Sequence, residues 1–180
     1  MICLAGLVAW GTAWPSPAAA QVMLTQEEAL RLAFPEPADI NRRTAFLDQE
    51  DMDRVEELAG SEPGGAIVTY YVGGTATEAL GVAYFDVHRV RTLPEVLMIV
   101  VTPTGRVDRV EILRFAEPRE YLAPDGWLDQ FEARGLADDL ANKTSVAGLT
   151  GATLTSRAVT NAVRRALALH EVLDPLAEVR

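Results

Sequence analysis

The chain has 180 residues, 49% of them hydrophobic, with 16 Lys+Arg against 26 Asp+Glu and a single cysteine. This length suits one ordinary domain and the apolar fraction excludes wholesale disorder, while a net charge of −10 excludes a general nucleic-acid binder. One cysteine and two histidines, His88 and His170, exclude an intramolecular disulfide, a cysteine-held iron–sulfur cluster and a thiolate zinc site, and leave little for a histidine metal centre.

Residues Ile2 to Trp14 form an uncharged, mostly apolar run of signal-peptide length. Pro15-Ser16-Pro17 breaks any helix, and Ala18-Ala19-Ala20 supplies the small residues of a cleavage site before Gln21. The run is too short and too punctuated by Gly and Pro to cross a bilayer, which needs about 20 apolar residues. The expectation is a signal peptide over residues 1–20 and an extracytoplasmic mature protein, periplasmic or secreted. The signal carries no charge, so the mature chain keeps the whole −10 and loses its only cysteine.

Thr25-Gln26-Glu27-Glu28 reads as a capping box opening a short helix that Pro35 and Pro37 stop. A second helix is predicted from about Asp48 to Ala59, with acidic residues in its first turn and Gly60 as a left-handed cap. Its acidic run, Glu50 to Glu57, reads as a solvated face and not a metal site. Residues 21–62 are thus expected to form an N-terminal helical segment. No strand is predicted between these two helices.

Ala66 to Val72 is a strand by residue type. Leu80 to Arg91 then alternates, with Val82, Tyr84, Asp86 and His88 on one side and Ala83, Phe85 and Val87 on the other. Charge alternation around His88, Arg89 and Arg91 reads as a solvated strand face. Val96 to Val101 is nearly continuous and so central, and Thr102-Pro103-Thr104-Gly105 is a tight turn. Val107 to Phe115 returns with Val110, Ile112 and Arg114 opposing Arg109, Glu111 and Leu113. Leu154 to Leu173 follows the helical period, with His170 as a helix-end residue. The fold class is α+β: an antiparallel meander of at least four strands packed by helices, with a long helix last.

Ahead of that helix lies Thr150-Gly151-Ala152-Thr153-Leu154-Thr155-Ser156, small residues and hydroxyls entering a helix N-terminus. Free amides and the positive dipole end suit a phosphate there. An ordinary Ser/Thr cap accounts for the same residues.

This stretch resembles the (Ser/Thr)-Gly-Ala-Thr motif of the FMN-binding domain family, which includes flavinylated subunits of the sodium-pumping NADH:quinone reductase and of the Rnf electron-transport complex. The resemblance implies FMN joined through a phosphoester to Thr153 by a flavin transferase that uses FAD. Thr150, Gly151 and Ala152 would frame recognition, Leu154 would follow them, and Thr155 would be the fallback acceptor. It spans roughly Ile67 to Leu173, with Trp127 to Phe131 similar to the family's segment between sheet and motif, and it implies an FMN-binding domain over 63–180.

Two positions depart from the family's pattern. Ala147 stands where many members carry Asp, and Glu117-Pro118-Arg119-Glu120-Tyr121 stands where Glu-Thr-Pro-Gly is usual. The resemblance implies an electron carrier between a membrane-bound donor and an extracytoplasmic acceptor, more than a stand-alone oxidoreductase, with no residue assigned to catalysis or metal. Tyr121, Trp127 and Phe131 serve equally as ring-stacking or core aromatics. The departures keep two alternatives open: a flavin-free binding or assembly module, and a non-covalent FMN reductase.

Overall fold

A computed structural model describes residues 21–138, 140 and 146–177. The proposed signal at 1–20 lies outside these described residues.

Six strands form one antiparallel sheet: β1 (Gln21–Val22), β2 (Asp39–Phe46), β3 (Ile67–Gly74), β4 (Ala79–Arg89), β5 (Pro94–Val101) and β6 (Val107–Phe115). Their order is β1-β6-β5-β4-β3-β2, so β2 to β6 make an unbroken meander and β1 adds to the β6 edge. The chain is α+β, as its patterning predicts. The continuous apolar run of β5 lies between β4 and β6 with Leu97, Met98 and Ile99 fully buried. Burying each such side chain contributes about 1.5–3 kcal/mol before entropic costs.

The strand missing from the sequence reading is β2, paired with β3 along its whole length from Asp39↔Gly74 to Phe46↔Ile67. Its sequence, DINRRTAF, has little apolar content and exposes most of its side chains. An edge strand with one free side can carry two arginines, and so it escapes an alternation test. Residues 21–62 are therefore built into the same sheet rather than set apart from it.

Each sheet face buries different residues, as the two-residue period of strands requires. Ala83, Met98, Val100 and Leu113 pack under α1 (Gln26–Ala33), which contributes Ala29 and Leu30, and Phe34 follows it. Tyr70, Tyr84, Leu97, Ile99, Val110 and Ile112 form the opposite, larger core, beneath α2 (Gln49–Ala59) and α4 (Thr153–Leu173). The long helix supplies Val159, Ala162, Val163 and Ala166 to that core. Between β6 and α4 run a short 3-10 turn at Arg119–Tyr121, the four-residue α3 (Asp125–Leu128) and a second 3-10 turn at Asp129–Phe131.

One predicted alternation breaks. Leu97 pairs with Ile112 but Val96 pairs with Arg114, so β6 carries an extra residue there. The shift turns Arg114 to solvent and brings Phe115, opposite Glu95, into the α4-side core.

Candidate functional site

Helices α1 and α2 both begin with capping boxes. In α1, the Thr25 hydroxyl accepts from the Glu28 amide at 3.2 Å and the Glu28 carboxylate accepts from the Thr25 amide at 2.8 Å. These hydrogen bonds hold the Glu28 carboxyl below its usual range. In α2, Asp48 accepts from the Asp51 amide at 2.9 Å and Asp51 accepts from the Asp48 amide at 3.3 Å. Gly60 closes α2 with φ of 72°, a left-handed conformation that glycine adopts without strain.

The start of α4 differs. Its N-cap is Ala152, no side chain caps it, and no acidic residue lies in its first turn. The hydroxyls that read as ordinary caps in the sequence are used otherwise or not at all. Thr155, 1% exposed, donates its hydroxyl to the Tyr121 carbonyl at 2.6 Å. Ser156 donates to the Thr153 carbonyl at 3.0 Å, and Thr160 donates to the Ser156 carbonyl at 2.7 Å. Thr150, Gly151 and Thr153 are exposed, and Leu154 is 47% exposed. A turn closed by the Ala152 amide on the Leu149 carbonyl at 3.1 Å leads the chain in. Gly151 takes φ of 81° in that turn, where a side chain would be strained.

Thr153, Ser156, Arg157, Thr160, Asn161 and Arg164 share one face of α4, at helical spacing, and line a cleft of about 620 Å³. Ala59 and Gly60 from the end of α2 and Ala147 and Gly148 ahead of the motif complete its walls. Clefts of about 300–1,000 Å³ suit small-molecule cofactors. Two arginines and no carboxylate line it among the described residues, although acids outnumber bases in this chain. Arg164 is engaged, donating to the Ala59 and Leu58 carbonyls at 2.7 and 2.9 Å. Arg157 is exposed and has no ion-pair or hydrogen-bond partner among the described residues. Uncapped amides, a free guanidinium and an exposed hydroxyl are the donor set a phosphate ester requires, so these residues fit FMN's phosphate end.

The predicted site residues are thus one contiguous stretch, but they divide in accessibility. Thr153 opens onto the cleft, whereas Thr155 is buried with its hydroxyl proton committed to Tyr121. Arg157, Asn161 and Arg164 are absent from the motif reading. Their signal was the i, i+4, i+8 and i+11 spacing from Thr153, visible only once the helix is known to present that face.

Around the cleft, Ala147 is held from both sides: the Trp127 indole donates to its carbonyl at 2.6 Å and its amide donates to the Gln130 side chain at 2.7 Å. Trp127 and Phe131 are buried edge-to-face at 5.4 Å, as core. Half-buried Tyr121 lies under the Arg91 guanidinium, 4.8 Å from its ring centroid. The Glu117 carboxylate accepts from the Thr92 and Leu93 amides at 2.7 and 2.8 Å. Those bonds, led by the Thr92 amide, lower its pKa and fix the β4–β5 turn to the segment entering Tyr121.

His88 is not on a solvated face. It lies beneath α4, with Nδ1 at 2.8 Å from Asp86 and Nε2 at 2.8 Å from Glu95. The expected alternation had placed it correctly on the Val82–Tyr84 side, but that side is the core. His170, in the last turn of α4 as expected, is buried against the Tyr84 hydroxyl at 3.2 Å. Burial, followed by the nearby Tyr70, raises the Tyr84 pKa well above its ordinary value. The acidic face of α2 is solvated, and no metal-holding group of His, Cys, Asp and Glu occurs among the described residues.

No curated protein and no solved structure shows a match to the chain. Residues 94–168 match the family model described as FMN-binding domain, a shorter span than the Ile67–Leu173 resemblance, beginning at β5 and ending inside α4. From β5 to the body of α4 the chain is similar to the FMN-binding domain family, and that match supports a flavin-binding role.

Proposed function

We propose that this chain is an exported electron-transfer flavoprotein whose FMN is joined by phosphoester to Thr153. FMN supplies one- and two-electron redox chemistry when bound, and the protein contributes anchorage, orientation and surroundings. The observation that carries the reading is the start of α4: among the described residues it alone of the three long helices lacks a side-chain cap, and the cleft it opens into is lined by cations and no carboxylate. Thr153 presents the exposed hydroxyl there, and Arg157, one turn on, can balance the charge of a phosphodiester. A covalent tether would keep the cofactor from being lost outside the cytoplasm.

Export is supported by the apolar run and small-residue cleavage pattern of residues 1–20. No helix among the described residues is long and apolar enough to cross a membrane. The partners proposed are a flavin transferase, a membrane-bound or periplasmic electron donor and an extracytoplasmic acceptor. The test is intact-mass measurement after expression with and without a flavin transferase. An FMN-sized gain only in its presence is expected; a colourless product without that gain overturns the covalent reading.

Ala147 favours one other reading. It lines the cleft as a small apolar residue where related domains commonly carry Asp, which leaves the local charge more positive and suits a phosphate held without a covalent bond. Yellow protein that releases free flavin on denaturation would establish that mode.

A further inference from the structure

The registered pairing of β3 with β4 stops at Tyr70↔Tyr84, whereas β4 stays paired with β5 as far as Arg89↔Pro94. The stretch of β4 beyond Tyr84 is therefore held on the β3 side by something other than a ladder. Asp86 and His88 lie on that stretch and face α4. Arg165 of α4 binds both Asp86 oxygens, at 2.9 and 2.8 Å, the bidentate geometry that fits a guanidinium to a carboxylate. His88 bridges Asp86 and Glu95 through its two ring nitrogens, and Glu95 is fully buried. With both carboxylates ionised, each accepts from one ring nitrogen, and a ring that donates from both is an imidazolium.

The charges facing this group are few. From β4 comes Asp86, from β5 Glu95 and from α4 Arg165, while Ser61 beyond α2 lies 3.4 Å from Arg165 and β6 presents the apolar Phe115 opposite Glu95. Two anions and two cations balance while His88 is protonated. Losing its proton leaves an uncompensated negative charge in the interior, and Glu95 Oε1 already has no hydrogen-bond partner among the described residues to share it.

We propose that Asp86, His88, Glu95 and Arg165 form a proton-operated latch that holds the β4–β5 hairpin against α4. The latch is closed while His88 carries its proton and opens when the proton leaves. Burial disfavours the charged ring, but its hydrogen bonds to Asp86 and Glu95 and the charges of those carboxylates outweigh it and hold His88 at about 9, above its ordinary value of 6.5. The stabilisation is complete below 6.5, declines as pH rises and is gone above about 9. The adjoining turn of the same hairpin is tied by Glu117 to the segment whose Tyr121 carbonyl holds Thr155, so an open latch loosens the helix that bears Thr153.

The test uses the full-length protein without flavin, so failure here and failure of the flavin reading are separable. Imidazole nitrogen NMR follows His88 from pH 6 to 10.5, and hydrogen exchange, corrected for intrinsic rates, follows residues 85–97 and 160–168. The expected result is a His88 midpoint near 9, with protection of both segments falling at least about tenfold across the same range while α1 is unaffected. His88→Gln should show the reduced protection already at pH 7 and no further change at pH 9. Glu95→Gln, nearly the same shape with one charge fewer, should bring the midpoint down by about one pH unit or more, and it keeps the test alive if His88→Gln does not fold. A His88 midpoint near 6.5, protection that stays constant while His88 titrates, or an alkaline loss that persists in His88→Gln would overturn the latch.

Discussion

Helices α2 and α4 lie side by side over one face of the sheet, yet their first turns are built in opposite ways. At α2 two aspartates satisfy backbone amides and place negative charge at the positive end of the dipole. At α4 an alanine stands in that place, the first turn carries no acid, and Arg157, one turn on, lines the cleft with a cation. A helix stabilised only for folding benefits from the first arrangement, by roughly 0.5–2 kcal/mol for the cap. The second leaves that stabilisation to be supplied by an external anion, and it makes the start of α4 locally weaker than its body. The contrast teaches that a missing cap among present ones is more informative than hydroxyls near a helix start.

The strongest way to break the comparison is Thr153→Ala. It should abolish the FMN-sized mass gain completely while changing thermal stability little, because the side chain is exposed and makes no capping bond. An adduct that survives, located by peptide mass mapping, would move attachment to another hydroxyl.

Thr155→Val comes next and should act in the reverse sense. It removes a buried hydrogen bond and strands the Tyr121 carbonyl, a loss of about 1–2 kcal/mol in denaturant unfolding. The adduct should form as before, since the Thr155 hydroxyl is not the acceptor.

Asp48→Ala probes the capped partner. Deleting the half of that box made by the Asp48 carboxylate should cost about 1 kcal/mol of stability, measured by urea unfolding, with no change in flavin content.

The smallest effect, and the sharpest, is expected from Leu154→Glu, which gives α4 the acidic first turn of its neighbours. Leu154 is exposed, so the carboxylate should stabilise the unliganded protein by about 0.3–1 kcal/mol through the dipole. The same charge should slow flavinylation or weaken phosphate binding. Stability and loading moving together would refute the idea that anion and cap compete for one helix end.

Much of this arrangement was legible in the sequence because it rests on local rules. The Thr25–Glu28 box, the Gly60 cap, the continuous run of β5 and the long period of α4 each encode their element within a few residues. The motif stretch was legible in the same way. What escaped was set by neighbours distant in sequence. Strand β2 exists because β3 offers it a ladder, and the extra residue in β6 is a matter of register with β5. His88 looks solvated in a charged run, but Glu95 of β5 binds it, and α4, arriving some eighty residues later, ties down its neighbour Asp86 with Arg165. The cationic wall of the cleft was illegible because a helical face becomes a wall only when α2 and the segment at Ala147 stand opposite it.

The length of α4 has one more consequence. Its 21 residues span about 32 Å as a rigid rod, with Thr153 at one end and Leu173 at the other. The helix is therefore a built-in molecular ruler. A dye attached just past Leu173 would sit at a nearly fixed separation from any flavin carried on Thr153. Energy transfer from dye to flavin would then report occupancy in a single molecule, and a change in that signal on meeting a redox partner would measure movement of the cofactor rather than of the protein.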